Sequence, residues 1–210
     1  QQIRGMKADR ADISLGGATV VHEAMRAGGF DQMEVCGQGL REGLFYAHYL
    51  GGGATWFDDV RRASVINLCH LYRFQEPHAH QIAALTLSLF DQIPPERLAC
   101  GPAERDLLWA ACMLHDIGMA IDYHDHHKHG AYLLLNSGLP GYTHREIALI
   151  ALLIRYHRKG KPGPDELGPL LTEGDDRKLL QMGAVLRLAE QLDRSRDGAV
   201  RRLILRPLAD

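Results

Sequence analysis

The hydrophobic rhythm of the chain changes near residue 50. Beyond it, apolar residues recur at helical spacing in segments separated by Pro and Gly, as expected of helices that each bury one face. This spacing predicts helices over about 58–74, 77–93, 103–121, 126–137, 143–157 and 175–196. Thr143 and Glu146 form T-x-x-E, a capping box that satisfies open amides at a helix start. Gly101-Pro102 interrupts the pattern before the third of these helices, and the Pro/Gly-rich run 160–174 reads as a loop. The closing β-branched and basic stretch AVRRLILRPL predicts an edge strand or a frayed end.

Residues 10–50 read differently. RADISLGGA has the alternation of a strand, TVVHEAMRAG that of an amphipathic helix and MEVCG that of a second strand, after which GLREGLFYAHYL returns to helical spacing. This is one β-α-β unit, and two strands alone are marginal, so the piece either packs on the rest or is the tail of something longer. The run Gly51-Gly52-Gly53 separates it from the helical part, which divides the chain into 1–54 and 55–210. The expected fold class is mainly α: a helical bundle preceded by a small β-α-β remnant.

Composition narrows the classes. Lys plus Arg number 24 and Asp plus Glu 26, a formal charge of -2, so no overall basic field points to nucleic acid or an anionic membrane. Nucleic acid is therefore not expected as a partner, although Arg201, Arg202 and Arg206 form a local basic group. No run approaches the ~20 apolar residues of a membrane span, and the start has no apolar stretch of the signal-peptide kind, which makes the cytoplasm the expected compartment. Cys36, Cys69, Cys100 and Cys112 form no C-x-x-C pair and read as small apolar fillers.

Histidine is the exception: there are 12, most of them between His78 and His157. In LLWAACMLHDIGMAI, His115 and Asp116 are adjacent near the end of an apolar helix. EPHAHQIAALTLSLF places His78 at the start of another, and LRLAEQLDRS places Asp193 near the end of the last. Two imidazoles and two carboxylates from three helices are a suitable set for a divalent cation of the Mn, Fe, Co, Ni, Zn or Mg type, and bundle cores are a known place to build such sites. A cation so held can acidify water and offset charge on a phosphoryl oxygen, which points to hydrolysis of a phosphate ester. YHDHHKHGAYLL adds His124, His126, His127 and His129, and IRYHRKGKPG adds His157, enough for a second ion or a phosphate grip. Lys128, Arg158, Lys159 and Lys161 bring positive charge beside them, and a guanidinium such as Arg158 can bind phosphate with two prongs. His22, His48, His70, His80 and His144 read as surface or hydrogen-bonded histidines.

The order His78, His115-Asp116 in HDIG, Asp193 resembles the H…HD…D signature of the HD phosphohydrolase superfamily. That resemblance implies a helical domain in which His78, His115, Asp116 and Asp193 hold a metal, with His129 and His157 similar to histidines that bind a second. His126 and His127 are alternatives to His129. RADISLGGA…GQGLREGL, DVRRASVINLCHLYRF and HHKHGAYLL…REIALIALLIRYHRKGKP are in turn similar to the C-terminal part of the exopolyphosphatase/guanosine pentaphosphate phosphatase (Ppx/GppA) family.

This second resemblance implies that residues 1–54 are the end of an actin-like lobe and 55–210 an HD-type domain, and that the family's phosphate-binding glycine loop and catalytic acid precede residue 1. The implied activity is metal-dependent hydrolysis of a nucleotide, (p)ppGpp or polyphosphate with one or two ions. Asp116 would bridge, and Lys128 and Arg158 would steady phosphate oxygens. The alternative is a non-catalytic accessory module that binds polyphosphate or nucleotide, or that pairs subunits into a homodimer.

Overall fold

The computed structural model describes residues 8–33, 35, 39–49 and 57–206. Internal contacts divide the chain into two units, Gln1–Thr55 and Trp56–Asp210.

In the first unit, a short turn of 3₁₀ helix at Ala8–Arg10 leads into helix α1, Ala11–Gly28, and helix α2 spans Leu40–Tyr49. The expected strand at 10–18 is therefore helical, and the helix expected at 19–28 is the second half of the same element. Of the other expected strand, residues 34, 36 and 37 lie outside the described residues, while Met33 and Val35 are in no strand. No strand occurs among the described residues, so the β-α-β reading is overturned. The reason is local hydrogen bonding: a helix closes its amide bonds within one segment, whereas a lone strand leaves them open. The Ser14 and Thr19 hydroxyls donate to the carbonyls of Arg10 and Leu15, so two residues that suit strands bond back within the helix. Gly16 and Gly17 are carried in its interior at a cost of about 1 kcal/mol each relative to Ala.

In the second unit, six helices follow the predicted pattern: α3 Val60–Leu71, α4 Glu76–Gln92, α5 Pro102–Leu114, α6 His126–Ser137, α7 His144–Tyr156 and α8 Asp175–Leu192. Two are apolar all round and form the centre. Residues Leu107 through Leu114 of α5 and Ala148 through Ile154 of α7 are buried without interruption. These two helices pack on each other; α3, α4 and α8 lie against α5, and α6 and α8 against α7. The Thr143–Glu146 capping box forms as predicted, the Thr143 amide donating to Glu146 Oε2 at 2.7 Å and the Glu146 amide to Thr143 Oγ1 at 3.3 Å.

Three details depart from the pattern. Helix α5 stops at Leu114, and Ile117–Ala120 forms a separate 3₁₀ turn. The loop 160–174 contains a 3₁₀ turn at Asp165–Leu170. Residues 199–206 form no strand; glutamine side chains of α4 tie them down, Gln81 donating to the Val200 carbonyl, and Gln92 donating to the Leu203 carbonyl and accepting from the Leu205 amide. No described helix is long and apolar enough to cross a membrane.

Candidate metal centre

The break after α5 builds the centre. A Cβ placed on Gly118 would sit 2.0 Å from the His126 carbonyl oxygen and 2.4 Å from the Gly130 amide nitrogen, so only glycine lets the 3₁₀ turn rest against α6. This contact brings the first residue of α6 beside the last residues of α5. His115 and Asp116 project from the turn, His78 from the start of α4, His157 from the end of α7 and Glu190 from α8. The four histidines and Asp116 are all buried.

Each imidazole is oriented through its Nδ1. His115 donates to the Cys112 carbonyl at 2.7 Å, His157 to the Ile154 carbonyl at 2.7 Å and His126 to the Tyr123 carbonyl at 2.9 Å. His78 donates to Asp193 Oδ2 at 2.8 Å. A carbonyl oxygen can only accept, so Nδ1 carries the proton in those three rings; in the neutral imidazole Nε2 is then bare. The Nε2 atoms of His78 and His115 face each other at 3.3 Å, and those of His126 and His157 likewise at 3.3 Å. Two opposed lone pairs in a buried site require a positive charge between or beside them.

Asp116 stands between the two pairs. Its Oδ2 is 3.6 Å from His115 Nε2 and 3.9 Å from His78 Nε2, while its Oδ1 is 3.2 Å from His126 Nε2 and 3.9 Å from His157 Nε2. Glu190 Oε2 lies 3.5 Å from His78 Nε2 and 3.4 Å from His115 Nε2. Donor atoms bonded to a common cation at about 2.1 Å stand about 3.0–3.5 Å apart in octahedral or tetrahedral geometry, so the two groups are close to ligand spacing. Asp116 Oδ1 and Glu190 Oε2 are buried without hydrogen-bond partners, which is costly unless a cation serves them. The residues present thus fit two divalent-ion positions that share Asp116.

Electrostatics agrees with this geometry at the carboxylates and at His157, while at His115 it favours the protonated ring. Burial works against the charged form of Asp116, but His115, His126 and Arg196 hold its pKa far below the usual carboxylate range. Glu190 is likewise depressed, burial being outweighed by His115 and His78. Burial and the nearby His115 push His157 down to about 3. His115 is raised despite its burial, because Asp116 and Glu190 adjoin it. The centre keeps its carboxylates ionised and a neutral imidazole on His157, the forms in which these groups bind metal.

Residues 60–208 match the family model described as Ppx/GppA phosphatase, domain III. The chain belongs to this family. It is also 29% identical over 192 residues to a guanosine-5'-triphosphate,3'-diphosphate pyrophosphatase of Aeromonas hydrophila subsp. hydrophila, a match that covers 90% of this chain and 37% of that protein. The chain thus spans little more than a third of the length of that relative.

In this Ppx/GppA-family chain, five of the residues singled out in the sequence come together: His78, His115, Asp116 and His157 in the cluster, with Asp193 directly behind His78. Of the three histidines that were alternatives, His126 is the one whose Nε2 joins the cluster. His129, one turn further along α6, is half-buried outside both groups. His127 packs beside His126 and His157 with an unpartnered Nδ1; burial and then Lys159 push its pKa down to about 4.

Asp193 stands one step back from the expected position. Its Oδ2 is taken by His78 and its Oδ1 by the Gly198 amide, so it orients the His78 ring, and the carboxylate that α8 sends into the centre is Glu190. The two expected phosphate cations are engaged elsewhere: Lys128 pairs with Asp125 at 2.8 Å, and the Arg158 guanidinium lies 5.4 Å over the Tyr123 ring. Sequence reasoning missed Glu190 and Arg196. For Glu190 a signal was present, a carboxylate that continues the inward stripe Gly183–Leu186 at helical spacing.

Proposed function

We propose that residues 56–210 form an HD-type, divalent-metal-dependent phosphohydrolase domain acting on a phosphate ester or anhydride such as a nucleotide, (p)ppGpp or polyphosphate. The observation that carries the reading is the pair of opposed, bare Nε2 couples on either side of Asp116, each 3.3 Å across. His78, His115, Asp116 and Glu190 would hold one ion, and Asp116, His126 and His157 a second. Bound there, a first-row divalent cation supplies Lewis acidity toward a phosphoryl oxygen and acidifies water.

The chain's own residues prepare the site. Asp193 and the carbonyls of Cys112, Tyr123 and Ile154 fix the tautomers and ring orientations, so that little rearrangement accompanies loading. Asp116, with a side chain only 7% exposed, divides its two oxygens between the groups. The apolar walls of α5 and α7 keep bulk water away from the inner side. Glu190 and Arg196, with side chains 18% and 29% exposed, mark the side on which the centre opens.

Metal content by elemental analysis, followed by turnover of an aryl phosphate, nucleotides, (p)ppGpp and polyphosphate with added Mn²⁺, tests the proposal. It predicts stoichiometric metal and turnover that both fall in Asp116→Ala. The second reading, an accessory module that binds phosphorylated ligands or pairs subunits, draws support from the length of the pyrophosphatase relative, most of which this chain does not cover. Stoichiometric metal without turnover on any of these substrates would favour the module; no metal would defeat the phosphohydrolase.

A further inference from the structure

We propose that Arg196 is a substrate-binding residue of this centre, its guanidinium taking the oxygens of a terminal phosphoryl group at the mouth of the site. The inference rests on the phosphohydrolase reading above and gives the anion-binding role to a residue that neither the sequence motifs nor the family match singles out.

One turn of chain serves both tasks. Asp193 Oδ2 holds the His78 ring, its Oδ1 accepts from the Gly198 amide, and its carbonyl accepts from the Arg196 amide at 2.8 Å. The segment that orients the His78 ring therefore also aims the arginine. Arg196 sits at φ +58°, a left-handed conformation that disfavours side chains other than Gly, Asn and Asp and that tends to be kept at functional positions.

The guanidinium lies on the boundary between centre and solvent. One Nη2 hydrogen goes to Asp116 Oδ2 at 2.7 Å, and Nη1 is braced by Gln75 Oε1 with Met119 Sδ at 4.0 Å. Of its five N–H donors, Nε–H and a second Nη2–H have no acceptor among the described residues. Two free N–H donors on one guanidinium suit charge-assisted hydrogen bonds to phosphate oxygens.

Four other cations of this unit are committed. Lys128 and Lys159 share the Asp125 carboxylate, Arg158 lies over Tyr123, and Arg187 donates to the carbonyls of Tyr156 and Gly160. A phosphoryl group approaching Asp116 and Glu190 meets two carboxylates, and Arg196, 2.7 Å from Asp116 Oδ2, is a positive side chain placed to offset them.

The test uses the 210-residue chain and titration calorimetry, first with Mn²⁺ and then, on the loaded protein, with inorganic phosphate as the probe. Wild type, Arg196→Ala and Arg196→Lys are predicted to take up the same amount of Mn²⁺. Phosphate affinity should fall about 10–100-fold in Arg196→Ala, the worth of one or two charge-assisted hydrogen bonds, and recover in part in Arg196→Lys. If circular dichroism shows that Arg196→Ala does not fold, Arg196→Gln carries the same comparison.

Phosphate affinity within twofold of wild type in a metal-loaded variant overturns the proposal. So does loss of Mn²⁺ together with phosphate, which would make Arg196 only a brace for Asp116, and so does a loaded wild type that binds no phosphate. A wild type that takes up no Mn²⁺ fails at the first titration, where the phosphohydrolase reading itself is refuted.

Discussion

Replacing Gly118 by Ala probes the link between fold and centre at one atom. The added methyl would lie 2.0 Å from the His126 carbonyl oxygen, where ordinary contact begins at 3.4 Å, so the start of α6 must withdraw by about 1.4 Å. The Gly130 amide at 2.4 Å blocks escape along the same helix, and the obstacles are backbone atoms, which cannot rotate away. Overpacking of this kind costs about 1–3 kcal/mol, and at about 2–4 °C per kcal/mol for a chain of this size the melting temperature should drop by a few to about ten degrees. The displaced residue is also the one whose Nε2 stands 3.2 Å from Asp116 Oδ1, and metal sites tolerate errors of only about 0.2 Å. Gly118→Ala should therefore keep its helical circular dichroism, melt earlier and lose the ion proposed for Asp116, His126 and His157, while the one proposed for His78, His115, Asp116 and Glu190 is retained. Thermal melts and calorimetric Mn²⁺ titration read both effects. A variant with wild-type melting temperature and full metal stoichiometry would refute the reasoning.

Asp193→Asn leaves one oxygen to serve both the His78 ring and the Gly198 amide, and removes the charge behind the ring; Mn²⁺ affinity should weaken about 10–100-fold with helical content unchanged, and unaltered affinity would contradict the orienting role. Asp175 is fully buried, accepts from Arg145 and from the Thr172 amide, and has a lowered pKa, so its contribution to stability is present above the unfolded-state value of ~3.9 and is lost as pH falls through the native one. Asp175→Asn should cost about 1–3 kcal/mol in urea melts at pH 7, and the gap from wild type should close in strong acid; a gap independent of pH would count against this pairing. Burial pushes the thiols of Cys69 and Cys112 up to about 12 and that of Cys100 up to about 11, so none of the three should react with iodoacetamide in the native protein at pH 8. Peptide mapping that finds any of them alkylated as fast as an unfolded control would show that burial to be wrong.

The helices of the second unit were legible because their signals are redundant. In α5 and α7 the apolar runs, Gly101-Pro102 and the Thr143–Glu146 box all point the same way. His78, His115-Asp116 and His157 were legible for a related reason: each stands at a helix end, where a polar side chain interrupts an apolar run. The choice of His126 over His129 was not, since the two share one side of α6 and spacing cannot say how far along that side the neighbouring turn makes contact; the Gly118–Gly130 approach decides it. Nor could Arg196 be found, because its direction depends on a left-handed turn closed by Asp193. At 10–18 the alternation of Ile13 and Leu15 is that of a strand, but alternation shows which side chains share a face and not whether a partner strand exists.

The most direct test of the centre is anomalous diffraction from crystals of the Mn²⁺-loaded protein. The account predicts two peaks, one within about 2.0–2.3 Å of the Nε2 atoms of His78 and His115, the other at the same distance from those of His126 and His157, with Asp116 touching both. Peaks at His129 or on the outer oxygens of Asp193, or a centre without a peak at saturating Mn²⁺, would contradict it.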